Sequence, residues 1–91
     1  MGYATVARGE RMAWQNVVGT REAQLRGVLA EHACDWHLVV KEYLGCLEAA
    51  ERAGDLRATR YFAEKLVVAY SAIGFSDKAA RYRELGALAE G

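Results

Sequence analysis

The sequence predicts an all-α fold, a small antiparallel helical bundle of four to five helices. Apolar residues recur at helical spacing along most of the chain. The 91 residues include no proline, so every backbone N–H after the first can donate within a helix. Alternating apolar and polar runs of strand length are absent. A chain of this length forms one domain, which we expect to span residues 1–91.

The first predicted helix covers about Ala4 to Val18 and has only a rough apolar face, which includes Trp14. We expect residues 1–19 to form a loosely packed N-terminal helix. Gly19 followed by Thr20 predicts a helix stop and then the N-cap of the next helix.

The stretch from Thr20 to Ala53 carries a heptad-like seam of residues spaced alternately by four and three. One interpretation is a single helix, about 51 Å long at 1.5 Å per residue. The other is two helices broken near Cys34–Asp35, with Asp35 as the second N-cap. Because the phase of the seam does not reset, the pattern favours the single helix slightly. The seam, named as such below, comprises Leu25, Leu29, His32, Trp36, Val39, Tyr43, Cys46, Ala50 and Ala53.

Gly54–Asp55 marks the clearest turn, because glycine suits a left-handed C′ position and aspartate suits an N-cap. The next helix is predicted from Leu56 to Ile73, and it is apolar around most of its circumference. A helix of this kind is typical of a central position, packed on two sides. Its main apolar face carries Ala58, Phe62, Leu66, Ala69, Tyr70 and Ile73, and a second face carries Tyr61, Val68 and Ala72.

Gly74–Phe75 is predicted as the second turn, with Ser76 or Asp77 as the N-cap that follows. The last helix is then expected from about Asp77 to Ala89. Both loops have only two or three residues, so successive helices should be antiparallel neighbours.

The segment from Leu66 to Leu85 resembles a tetratricopeptide-type helical hairpin. Leu66, Tyr70, Gly74 and Ala79 stand at the offsets of that motif, and Tyr82 follows one helical turn later. The segment departs from the motif at Val67, where a small residue is usual, and at Ala63, where tryptophan is usual. The resemblance implies a helical-hairpin array that binds proteins or peptides on a concave face.

The charge balance limits the classes of partner. Twelve Lys and Arg residues offset twelve Asp and Glu residues, so no net field would steer the chain onto nucleic acid or an anionic membrane. No stretch has the roughly 18 uninterrupted apolar residues of a membrane span. The N-terminus lacks the pattern of a signal peptide. We therefore expect a cytoplasmic protein that binds neither membrane nor nucleic acid.

His32, Cys34, His37 and Cys46 are the residues most like metal ligands. On one helix, His32 and Cys34 would point in nearly opposite directions, and Cys46 would lie about 18 Å along the axis from Cys34. Four ligands could not meet within a chain, so we expect no metal and no cofactor. A Cys34–His37 pair lacks an orienting group and an oxyanion donor, so we expect no enzymatic activity.

The remaining signal is an excess of apolar side chains over the interior positions of so small a fold. It predicts a non-catalytic protein–protein interaction module, such as an adaptor, inhibitor or assembly factor. One alternative is a homodimeric bundle, structural or ligand-binding, in which the seam pairs across a two-fold axis. Another is nucleic-acid binding through Arg52, Arg57, Arg60, Arg81 and Arg83. The predicted partner-binding residues are Trp36, Val40, Tyr43, Leu47, Tyr61 and Val68.

Overall fold

A computed structural model describes residues 21–89 of the chain. Four helices and no strand occupy this range. They are α1 (21–32), α2 (Trp36–Ala53), α3 (Leu56–Ala72) and α4 (Ser76–Ala89). The prediction of a small all-α helical bundle is confirmed for these residues, and the predicted helix from Ala4 to Val18 lies outside them.

Three turns of the same construction connect the four helices. Cys34, Gly54 and Gly74 each adopt a left-handed backbone, with φ of 56°, 69° and 83°, and they stand twenty residues apart. In each turn, this residue donates its N–H to the carbonyl three residues earlier, and the next residue donates to the carbonyl five residues earlier. The six hydrogen bonds measure 2.9–3.2 Å. This is the Schellman arrangement, which satisfies the free carbonyls at a helix end.

The residue after each left-handed position begins the next helix. The carboxylates of Asp35 and Asp55 accept hydrogen bonds from the N–H groups of Leu38 at 3.3 Å and Ala58 at 3.0 Å. Phe75 holds the third such position, and its carbonyl accepts the first helical bond of α4, from Ala79. The predicted cap at Ser76 or Asp77 is therefore wrong by one or two residues, because the turn geometry places the cap at Phe75.

The interpretation of Thr20 to Ala53 as one helix is wrong, and the alternative break at Cys34–Asp35 is confirmed. Cys34 is the one described non-glycine residue with positive φ. L-amino acids are disfavoured in this conformation, which glycine adopts readily. Because the residue at this position is cysteine, the sequence carries no glycine signal for the turn. Asp35 supplies the N-cap that the alternative requires.

Helix α3 lies between α2 and α4 and contacts both, as predicted for a central helix. Its predicted second apolar face is not the packed one, because Tyr61, Val68 and Ala72 are exposed. Among the described residues, α2 and α4 do not contact each other. The α3–α4 hairpin buries Leu66, Tyr70 and Ala79, and the Tyr70 and Tyr82 rings stack with centroids 5.5 Å apart. The buried apolar core comprises Ala30, Val39, Tyr43, Cys46, Leu47, Ala50, Phe62, Ala63, Leu66, Ala69, Tyr70 and Ala79.

Helix α1 packs onto this core through small residues. Gly27 and Ala30 are buried, and a Cβ atom on Gly27 would lie 2.7 Å from the ring of Tyr43. Glycine is therefore required here by close approach and not by backbone conformation. Leu25 and Leu29 point to the other side of α1 and remain 60% and 68% exposed.

Candidate interaction surface

The described residues leave a set of large apolar side chains in solvent. Eight of them are at least 36% exposed, although the same helices bury twelve apolar residues. Single exposed apolar residues are common on protein surfaces, whereas clusters of them are typical of binding sites. The eight are Leu25, Leu29, Leu38, Leu56, Tyr61, Val68, Phe75 and Leu88.

Four of these residues lie on two neighbouring helices. Lys65 of α3 forms an ion pair with Glu31 of α1, with Nζ 3.2 Å from Oε1, so the end of α1 lies beside α3. Tyr61 and Val68 follow the same side of α3 as Lys65, because they lie four residues before it and three after it. Leu25 and Leu29 project from the side of α1 that points away from Glu31, since they lie about 120° and about 160° from it around the helix. These residues form two separate apolar strips, Leu25 with Leu29 and Tyr61 with Val68, which we together call the α1–α3 face.

The Lys65–Glu31 ion pair lies beside Tyr61 and helps to position its ring. The ammonium group of Lys65 lies 5.6 Å from the ring centroid of Tyr61, within the range of a cation–π contact. The Tyr61 ring meets Phe62 edge to face, with centroids 5.2 Å apart. One edge of Tyr61 is thus fixed against the core while 40% of the residue stays exposed.

The structure separates the predicted partner-binding residues into three groups. Tyr61 and Val68 are exposed and lie on the α1–α3 face. Trp36 and Val40 are partly buried against the core. Tyr43 and Leu47 belong to the core, with exposed fractions of 0% and 3%, so they cannot contact a partner in the folded chain. Their prediction as surface residues is corrected for this reason.

Leu25 and Leu29 were not among the predicted partner-binding residues, although the seam places them on the same side as Tyr43. The reversal of the chain at Cys34 frees α1 from the phase of α2. A second stripe of small residues, Gly27 and Ala30, then faces the core. That stripe was the signal in the sequence that could have identified the buried side of α1.

Polar groups lie beneath α1 at its contact with α2. Arg26 donates from Nε to Oε2 of Glu42 at 2.8 Å, and Glu42 is itself buried. The neighbouring Cys46 thiol is buried, and this burial raises its pKa to about 11, with the Glu42 carboxylate as a further cause. The thiol of Cys46 is therefore protonated at neutral pH and is a weak nucleophile.

The hydroxyl group of Tyr43 is buried and forms no hydrogen bond of ordinary geometry among the described residues. Burial raises the pKa of Tyr43, and the negative charge of the nearby Glu31 carboxylate raises it further. The Tyr43 hydroxyl therefore lies next to the Glu31 carboxylate at the contact between α1 and the core.

The other candidate sites do not assemble. His32, Cys34 and His37 are exposed, whereas Cys46 is buried on α2. Within residues 21–89, no three His, Cys, Asp or Glu side chains come together as potential metal ligands. Of the predicted basic residues, Arg60 forms an ion pair with Glu64 at 3.3 Å.

A second apolar depression lies where the start of α3 meets the end of α4. Leu56 and Leu88 border it and are 59% and 78% exposed. Leu85 and Thr59 complete its floor. Unlike the α1–α3 face, this depression has no aromatic ring among its lining residues.

Comparison of the chain with known protein families, curated proteins and solved structures finds no match. The tetratricopeptide resemblance of Leu66 to Leu85 thus stays a prediction. Within the described range, none of the helices has the combination of length and hydrophobicity needed to cross a membrane.

Proposed function

We propose that this protein is a non-catalytic interaction module that binds another protein through the α1–α3 face. The observation that carries the proposal is the exposure of Leu25, Leu29, Tyr61 and Val68 on two adjacent helices. Apolar and aromatic side chains at the centre of an interface supply most of its binding free energy. The predicted cytoplasmic location is part of the same proposal.

The surroundings of the face support a protein partner. The Lys65 ammonium beside Tyr61 and Val68 is paired with the Glu31 carboxylate. A partner that covers Tyr61 and Val68 would therefore not bury an unpaired Lys65 charge, and burying an unpaired charge is the largest penalty in such contacts. Tyr61 offers a ring whose position is already fixed by Phe62, so little conformational entropy is lost on binding.

The proposal is tested by a photoreactive amino acid introduced at Val68 in the source cell. We expect cross-linking to one or a few specific proteins, identified by mass spectrometry. The same amino acid at Ala80, an exposed residue of α4, is the matched control and should give no such products. Equal products from both positions, or none from Val68, would contradict the proposal.

A second variant separates binding from folding. Val68→Glu places a charge on the α1–α3 face and should reduce capture of the cross-linked partner by at least tenfold. Ala80→Glu adds the same charge elsewhere and should leave capture unchanged. Circular dichroism should show the same helix content for both variants, because neither side chain is buried.

A further inference from the structure

The turn between α1 and α2 is the one of the three whose left-handed position is not a glycine. All three turns have the same backbone hydrogen bonds, yet glycine holds the left-handed position at Gly54 and Gly74 while Cys34 holds it in the first. A residue with a Cβ atom is strained in this conformation. The first turn is therefore the one that carries backbone strain at this position.

The contact that this turn maintains leaves apolar surface uncovered. Folding α1 back onto α2 places the buried Tyr43 hydroxyl beside the Glu31 carboxylate of α1. It leaves Leu25 and Leu29 in solvent. The closed arrangement of α1 thus combines a strained hinge with two exposed leucines.

The seam becomes one continuous apolar strip if the turn at Cys34 becomes helical. Leu25 and Leu29 then join the same side of one helix as the seam residues from Val39 to Ala50, which forms an apolar strip about 38 Å long at 1.5 Å per residue. The closed structure uses only the α2 half of this strip for its core.

The spacing of the strip is also the same in both directions. From residue 25 to residue 50 the intervals run four, three, four, three, four, three and four. In an antiparallel pair of such helices, every seam residue meets a seam residue: Leu25 meets Ala50, Leu29 meets Cys46, and His32 meets Tyr43. The imidazole of His32, a hydrogen-bonding group, faces the Tyr43 hydroxyl in such a pair.

We propose that the chain has a second state in which residues 21–53 form one helix, paired antiparallel along the seam with a second copy of this chain. The occupant of the Leu25–Leu29 strip in that state is the α2 seam of the other copy, centred between Trp36 and Val39. This inference does not depend on the partner of the α1–α3 face. Val68 lies outside the seam and stays free in both states.

Two substitutions at the hinge test the proposal in opposite directions. Cys34→Gly relieves the closed turn and should weaken the dimer roughly 30-fold, since each of two hinges loses about a fivefold advantage. Cys34→Ala keeps the strain and favours a continuous helix, so it should strengthen the dimer by about threefold. Sedimentation equilibrium across a concentration series measures both constants, and neither variant can form a Cys34 disulfide.

The shape of the hinge is measured within one chain. Cysteines are introduced at Glu22 and Glu48 in each Cys34 variant and labelled for energy transfer, while the buried Cys46 stays unlabelled. The labelled chain is mixed with a large excess of the unlabelled variant, so that only distances within a chain contribute. We expect about 10 Å between the two helix axes for Cys34→Gly. For dimeric Cys34→Ala we expect about 39 Å along one helix.

The proposal is overturned if both variants remain monomers with a short distance at high concentration, or if a dimer forms with the short distance retained. Should Cys34→Ala lose its helix content, the wild-type chain under reducing conditions serves in its place, and a mass that stays monomeric overturns the proposal. Cys34→Gly should leave cross-linking from Val68 intact, and Val68→Glu should leave the dimer intact, so that the two proposals fail separately.

Discussion

Helices α1 and α3 show two ways of packing an amphipathic helix. Helix α3 buries its large apolar residues, including Phe62 and Leu66, between two neighbours. Helix α1 does the opposite, since it buries Gly27 and Ala30 and exposes Leu25 and Leu29. The pattern of apolar residues predicted the buried side correctly in α3 and incorrectly in α1.

This difference shows that steric fit to a neighbouring helix can decide which side of a helix is buried, even against the pattern of its apolar residues. The ring of Tyr43 occupies the space that a side chain at position 27 would need, so the helix must present its smallest residue there. The ion pairs Arg26–Glu42 and Glu31–Lys65 then fix α1 in place, at 2.8 Å and 3.2 Å. Helix α1 is held by shape and charge, whereas α3 is held by buried apolar area.

The largest expected effect tests the buried side of α3 against the exposed side of α1. Leu66→Ala should lower the free energy of unfolding by about 2–5 kcal/mol, because it leaves a cavity at a residue with no exposure. Leu29→Ala removes the same atoms from a residue 68% exposed and should change the free energy by under about 0.5 kcal/mol. Urea denaturation measures both. Equal losses would show that Leu29 is as buried as Leu66.

A pair of glycine substitutions sharpens the account of α1. Gly27→Ala should destabilise the chain by about 1–3 kcal/mol, because the new methyl group would overlap the buried Tyr43 ring. Gly45→Ala is the matched control: position 45 lies inside α2 with no atom near its Cβ direction. It should stabilise the chain by about 0.5–1 kcal/mol through helix propensity. Thermal melts of the two variants should therefore shift in opposite directions.

The last effect is confined to alkaline pH and concerns the ionisable groups beneath α1. Burial raises the pKa of Cys46 to about 11 from its ordinary 9, so above pH 9 the unfolded chain binds fewer protons than the folded one. Stability should then be complete below pH 9 and fall as the pH rises towards 11, by up to about 1.4 kcal/mol per pH unit.

The raised pKa of Tyr43 acts in the same direction above pH 10. Denaturation of the wild-type chain and of Cys46→Ala at several pH values separates the two groups. The variant should show a smaller loss between pH 9 and pH 10, where the unfolded thiol ionises first. A loss of the same size in both proteins would show that the thiol does not contribute.

The sequence alone predicted two of the three turns. Gly54–Asp55 and Gly74–Phe75 carry glycine at the left-handed position, and glycine is the residue that such a position favours. Cys34 gives no such sign, so the first turn stayed open between two interpretations. The twenty-residue spacing of the three turns was a further signal, and it places the break at residue 34.

The candidate surface was predicted in part. Tyr61 and Val68 belong to a second apolar face of α3 that the sequence assigns, and both are exposed. Tyr43 and Leu47 look equally suited to a surface by composition, yet they are core residues. Which side of an apolar helix is exposed depends on how many other helices pack against it. The apolar pattern of that helix alone does not predict this number.

Local chemistry fixed the helical class of the fold, the cap at Asp55 and the apolar character of α3, because each depends on residues near one another in the sequence. The tertiary structure alone decided that α1 turns its leucines outward and its glycine inward. The reason is the ring of Tyr43, sixteen residues away in the sequence, which leaves room only for glycine at position 27.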